Sequence, residues 1–143
     1  MGRLMAIDFG RKRCGIAVTD PLRIVANGLE TVPTASLVDF VKAYAASEGI
    51  DEIIVGEPRD MHDRPSESQR YLRPALARLV KALPGIPVRM YDERFTSVLA
   101  HRAMLDGGLG RMDRRDKALV DKISAAIILN DYLQSTAYTQ TNQ

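Results

Sequence analysis

The sequence predicts an α/β domain built on a five-stranded mixed sheet, its elements in the order βββαβαβα. Short apolar runs of strand length alternate with longer stretches of helical periodicity, and the first three runs follow one another with only turn signals between them. The 143 residues suit one domain with a sizeable core. Residues 4–8 and 14–19 are separated by Gly10 and a basic segment and read as a β-hairpin. A third strand is expected over 24–31, after Pro21. Ser36 with Asp39 makes a capping signature ahead of a helix to Glu48, which Gly49 ends. Residues 50–55 form a nearly continuous apolar run, as expected of a strand covered on both faces at the sheet centre.

Ser66 and Gln69 form a second capping box, after which Leu72, Leu76, Leu79, Val80 and Leu83 recur at helical spacing. Pro74 is expected to kink or restart that helix, and Pro84 with Gly85 to end it. Residues 88–91 make a fifth strand, Thr96 caps a helix to Leu105, a glycine-bearing loop spans 106–113, and a last helix covers 115–133. The domain is expected to occupy 1–133, with 134–143 a disordered tail.

Composition narrows the function classes. A single cysteine, Cys14, excludes an internal disulfide and fits a reducing cytoplasm. With only His62 and His101 beside it, a typical zinc site lacks ligands. No apolar run approaches the ~18 residues of a membrane span, and no leader pattern opens the sequence, so a cytoplasmic protein with no membrane partner is expected. The net charge of +2 is a weak push toward nucleic acid, but its distribution says more. Arg11, Lys12 and Arg13 form one basic cluster and Arg111, Arg114, Arg115 and Lys117 another, while Arg70, Arg73 and Lys81 share a helical spacing.

The acids are grouped as well. Asp8, Glu57 and the pair Asp92–Glu93 each close an expected strand, and ends of neighbouring strands in an open sheet converge on one crevice. Asp121 shares a helix side with Ala118, Ala125, Ile128 and Tyr132, so a charge faces the protein there. A buried carboxylate needs a cation nearby: a metal ion, or an arginine such as Arg94. Carboxylates gathered without abundant His or Cys suit Mg²⁺ or Mn²⁺. Two such ions about 4 Å apart activate water and stabilise the leaving oxygen in phosphodiester cleavage. Strand ends alone do not choose among Glu57, Asp92 and Glu93.

Four ordered blocks then resemble the YqgF, or RuvX, family: Ile7-Asp8-Phe9-Gly10-Arg11-Lys12-Arg13-Cys14-Gly15, Val55-Gly56-Glu57-Pro58, Asp92-Glu93-Arg94-Phe95-Thr96-Ser97, and Val120-Asp121-Lys122-Ile123-Ser124. The resemblance implies a ribonuclease H-like fold related to Holliday-junction resolvases, and a nuclease maturing the 5′ end of precursor 16S ribosomal RNA. By motif position it makes Asp8, Glu93 and Asp121 the catalytic, metal-holding acids. Glu57 stands where the family pattern is apolar and is open as a further ligand. Ser124, not an acid, stands three positions after Asp121, so a four-acid site is not implied.

The expected partner is structured precursor ribosomal RNA, its phosphates contacted by Arg11, Lys12, Arg13, Arg94, Arg114 and Arg115. The alternatives are a resolvase acting on branched DNA, which normally needs a symmetric dimer, and a non-catalytic RNA-binding module of ribosome assembly. A nucleotide-clamping protein, which an Asp-x-Gly hairpin can also open, fits poorly: the length supplies one such domain and no Walker-type loop is present.

Overall fold

The computed structural model describes residues 2–10, 12–22, 24–57, 69–92 and 114–134, without the side chains of 57, 69–71, 92 and 114–121. Five strands, β1 (Arg3–Asp8), β2 (Arg13–Thr19), β3 (Ala26–Pro33), β4 (Ile50–Glu57) and β5 (Val88–Asp92), form one sheet in the order β3-β2-β1-β4-β5. β1 pairs antiparallel with β2 and β2 with β3, whereas β1–β4 and β4–β5 are parallel. The mixed sheet is the one the sequence predicts. β4 is interior as expected, although the centre belongs to β1.

Three helices cover the sheet: α1 (Leu37–Glu48), α2 (Gln69–Ala82) and α3 (Arg114–Leu133). The two-residue strand period divides the core between its faces. On one face Met5, Ile7, Ile16, Ile53 and Val55 pack with Leu37 and Val41 of α1 and with Leu72, Ala75 and Leu79 of α2. On the other, Leu4, Ala6, Ala17 and Ile54 pack with Ala125, Ile128, Leu129 and Tyr132 of α3. The small residues of β1–β3 let α3 approach closely, and a Cβ on Gly28 would lie 3.2 Å from the Lys122 Cβ.

Local structure departs from expectation in three places. The third strand starts at Ala26, because the Asp20 carboxylate accepts hydrogen bonds from the Leu22, Ile24 and Val25 backbone N–H groups and holds them in a turn. Ser36 makes no side-chain cap; a 3-10 turn over Thr34–Ser36 leads into α1 instead. Pro74 lies within α2 without breaking it. Gly49 ends α1 at φ 82°, a conformation glycine adopts without strain. The helix expected after Thr96, the loop at 106–113 and the tail beyond 134 lie outside the described residues. Among the described residues no helix is long and apolar enough to cross a membrane.

Candidate functional site

The parallel strands β1, β4 and β5 all end at one edge of the sheet. Asp8 is the last residue of β1, Glu57 of β4 and Asp92 of β5, with Glu57 opposite Asp92. Register then separates these acids. Asp8 follows Leu4 and Ala6 and belongs to the face covered by α3. Glu57 continues the set of Ile53 and Val55, and Asp92 that of Val88, which belong to the α1–α2 face. The sequence could not make this distinction, because it depends on which residues of β1, β4 and β5 stand side by side.

Asp8 is 5% exposed and is flanked in the sheet by Gly15 of β2 and Gly56 of β4. Neither neighbour carries a side chain, so on the α3 face the carboxylate stands in a gap one side chain wide on each side. Gly56 is opposite Tyr91, whose ring meets that of Tyr132 edge-on at 5.8 Å between centroids. The Tyr132 hydroxyl donates to Glu52 Oε1 at 2.9 Å, and Arg89 pairs with the same carboxylate. That buried cluster fixes the C-terminal part of α3 over β4 and β5. Lys122 touches Gly28, in register through Ala17 with Ala6, whereas Glu52 is in register with Leu4. Going back along α3 toward residue 121 therefore moves toward the Asp8 end of β1.

Ser124 lies one turn beyond position 121. It is 1% exposed, and its Oγ is the only buried side-chain N or O among the described residues without a hydrogen-bond partner. At about 100° per residue, Ser124 and Lys122 fall on opposite flanks of the buried side of α3. Lys122 takes the β3 flank, leaving Ser124 on the β4 flank.

The basic turn between β1 and β2 stands at the same edge. A Cβ on Gly10 would lie 2.4 Å from the Arg13 carbonyl oxygen, so this tight turn requires glycine. Thr34, just past β3, holds the turn: its Oγ1 donates to the Gly10 carbonyl at 2.7 Å and its backbone N–H to the Lys12 carbonyl at 3.0 Å. Lys12 is exposed and Arg13 partly buried. Nothing in the sequence singled out Thr34, which acts across 22 to 24 positions of chain.

Of the expected acids, then, Asp8 is placed with its side chain, and Asp121 and Glu57 by backbone position on α3 and β4. Glu93, Arg11 and Arg94 lie outside the described residues, as do the side chains of Arg114 and Arg115 at the start of α3. Among the described residues no three His, Cys, Asp or Glu side chains gather to hold a metal ion. The donors described at this edge, a carboxylate and a hydroxyl, are oxygen ligands of the kind hard divalent cations prefer.

A mixed five-stranded sheet with flanking helices and a carboxylate at the rim of its central strand defines a ribonuclease H-like α/β protein. Comparison with known proteins narrows this. The RuvX model, described as Holliday junction resolvase, matches residues 2–135, and the chain belongs to that family. A protein of Phocaeicola vulgatus named "Putative pre-16S rRNA nuclease" is 56% identical over 138 residues, covering 96% of this chain and 99% of that protein. One of the same name from Porphyromonas gingivalis is 53% identical over 94% of this chain and 98% of its own. Among solved structures, the fold resembles Thermus thermophilus RuvC in complex with a Holliday junction substrate, at a TM-score of 0.60 and 21% identity over 94% of this chain and 96% of that one. A second RuvC structure from Thermus thermophilus superposes at 0.57, with 17% identity over 92% of this chain and 95% of that one.

Proposed function

We propose that this protein is a metal-dependent nuclease that hydrolyses phosphodiester bonds in structured precursor ribosomal RNA, maturing the 5′ end of 16S rRNA in the cytoplasm. The observation that carries the reading is Asp8: a buried carboxylate at the end of the central strand, in a gap bounded by two glycines, on the face where α3 brings in position 121. The names of its relatives, alike over nearly the whole chain, support the RNA substrate.

Asp8, Glu93 and Asp121 are the proposed ligands of Mg²⁺ or Mn²⁺. Glu93 is favoured over Glu57 and Asp92 by the strand period: it follows Tyr91 by two residues, and Tyr91 is on the α3 face with Asp8. Glu57, on the opposite set, is at most a peripheral ligand. The unpartnered Ser124 hydroxyl also fits a hydrated cation at this edge. Bound there, the cation supplies an activated water and charge stabilisation for the leaving oxygen. The carboxylates hold and orient it. The cations Arg11, Lys12, Arg13, Arg94, Arg114 and Arg115 are proposed to take the phosphates, with Thr34 fixing the first three at the acidic edge.

A second substrate, branched DNA, is favoured by the family description and by the RuvC-like fold. One experiment separates the two. Purified protein with Mn²⁺ is given a precursor 16S rRNA fragment and, in parallel, a four-way DNA junction, with Asp8→Asn as control. Cleavage of the RNA that the control lacks is expected. Cleavage of the junction alone moves the function to DNA, and binding of RNA with no cleavage by either protein leaves a non-catalytic assembly module.

A further inference from the structure

A hydroxyl buried without a partner is unfavourable where alanine would carry no penalty, so Ser124 demands a reason. A helical serine ordinarily relieves itself by bonding a carbonyl one turn back; Ser124 Oγ does not. Its surroundings in the fold are the reverse of a featureless core. It lies on the β4 flank of α3, one turn past position 121 and one turn before Ile128, which packs with Leu4, Ala6 and Ile54. The strand residues in register at the Asp8 end of that face are Gly15, Asp8 and Gly56. The space beside Asp8 thus has a carboxylate and two glycines on the sheet side, and the hydroxyl belongs to the helix that roofs it.

Resting on the metal-dependent reading above, we propose that Ser124 is a positioning residue of the acidic edge, its Oγ accepting a hydrogen bond from a water of the divalent cation held there. A cation-bound water is a strong donor and is absent from the protein by itself, which explains why the hydroxyl has no partner among the protein's own groups. Holding that water fixes the orientation of the hydrated cation relative to Asp8. Such outer contacts typically change metal affinity by about 10- to 100-fold.

The test compares Ser124→Ala and Ser124→Thr with the parent in two measurements that need no substrate. Melting in chelator reads the protein alone. Titration with Mn²⁺, following the free ion by its electron spin resonance signal, reads the site. Ser124→Ala is expected to melt at or above the parent in chelator and to bind Mn²⁺ about tenfold more weakly. Ser124→Thr, which keeps the hydroxyl, should bind more tightly than the alanine variant. A lower melting temperature for Ser124→Ala with parental Mn²⁺ affinity would make Ser124 a packing residue and overturn the proposal. Equal affinity in all three proteins overturns it too, while leaving the metal reading intact. A parent that binds no Mn²⁺ defeats the metal reading itself.

Discussion

At the scale of single residues, the acidic edge turns on strand parity. Asp8 and Glu57 are both terminal carboxylates of adjacent parallel strands, yet they belong to opposite faces, because Asp8 is in register with Gly56 and not with Glu57. Only the face of Asp8 is shared by α3 and by Tyr91. Glu93→Gln is therefore expected to lower cleavage on the order of 10²-fold or more, since it removes charge at the reacting phosphate, whereas Glu57→Gln lowers it far less. Rates under single-turnover conditions decide it, and the reverse ranking would mean that β5 does not carry its period past Asp92. Asp8 itself was legible from the sequence: an acid closing an apolar strand before a glycine. Parity was not, because residues in β1, β4 and β5 are neighbours only after the chain has crossed the sheet twice. Thr34 was illegible for the same reason, its two contacts with the 10–12 turn being long-range.

At the scale of elements, the turn joining β2 to β3 shows one side chain overriding a pattern. Ile24 and Val25 are β-branched and apolar and read as strand, yet they are 68% and 51% exposed, because the Asp20 carboxylate takes the Ile24 and Val25 N–H groups at 2.8 Å each. Hydrogen bonds from Val25 first, then Ile24 and Leu22, hold the Asp20 pKa below its ordinary 3.8. A carboxylate depressed on folding adds stability that is present above its unfolded pKa and is lost as pH falls through the folded one. Asp20→Ala should accordingly be less stable than the parent at neutral pH, with the gap closing as pH falls below 3.8. Urea midpoints measured across that range test this. A gap unchanged down to the most acidic point would assign the turn to shape and not to charge. The capping signature at Ser36 failed on related grounds: the chain enters α1 through a 3-10 turn that Thr34 anchors, which leaves Ser36 no capping role. Elements with a strong period, β1, β2, α1, α2 and α3, came out of the sequence in place, with errors confined to their ends.

At the scale of the whole molecule, the two ends of the α3 face are built oppositely. Near Glu52 the charge is neutralised internally, by Arg89 and by the Tyr132 hydroxyl, so that end stabilises the fold without outside help. At the Asp8 end, acids converge on one edge, where like charges raise one another's free energy until a cation arrives. Asp8→Asn removes one charge at nearly constant volume. In chelator the variant is expected to melt at or above the parent, because the repulsion it relieves offsets any bond it weakens. Mn²⁺ at a hundred times its dissociation constant should stabilise the parent by about 2.7 kcal/mol, since it binds the folded state alone. For a domain of this size that is a rise on the order of 10 °C. The variant should gain much less. Calorimetric melting of both proteins, with and without Mn²⁺, gives four temperatures, and their pattern decides the role of the edge. If Asp8→Asn melts clearly lower in chelator and both proteins gain equally from Mn²⁺, Asp8 is a structural partner within the fold and the cation binds elsewhere.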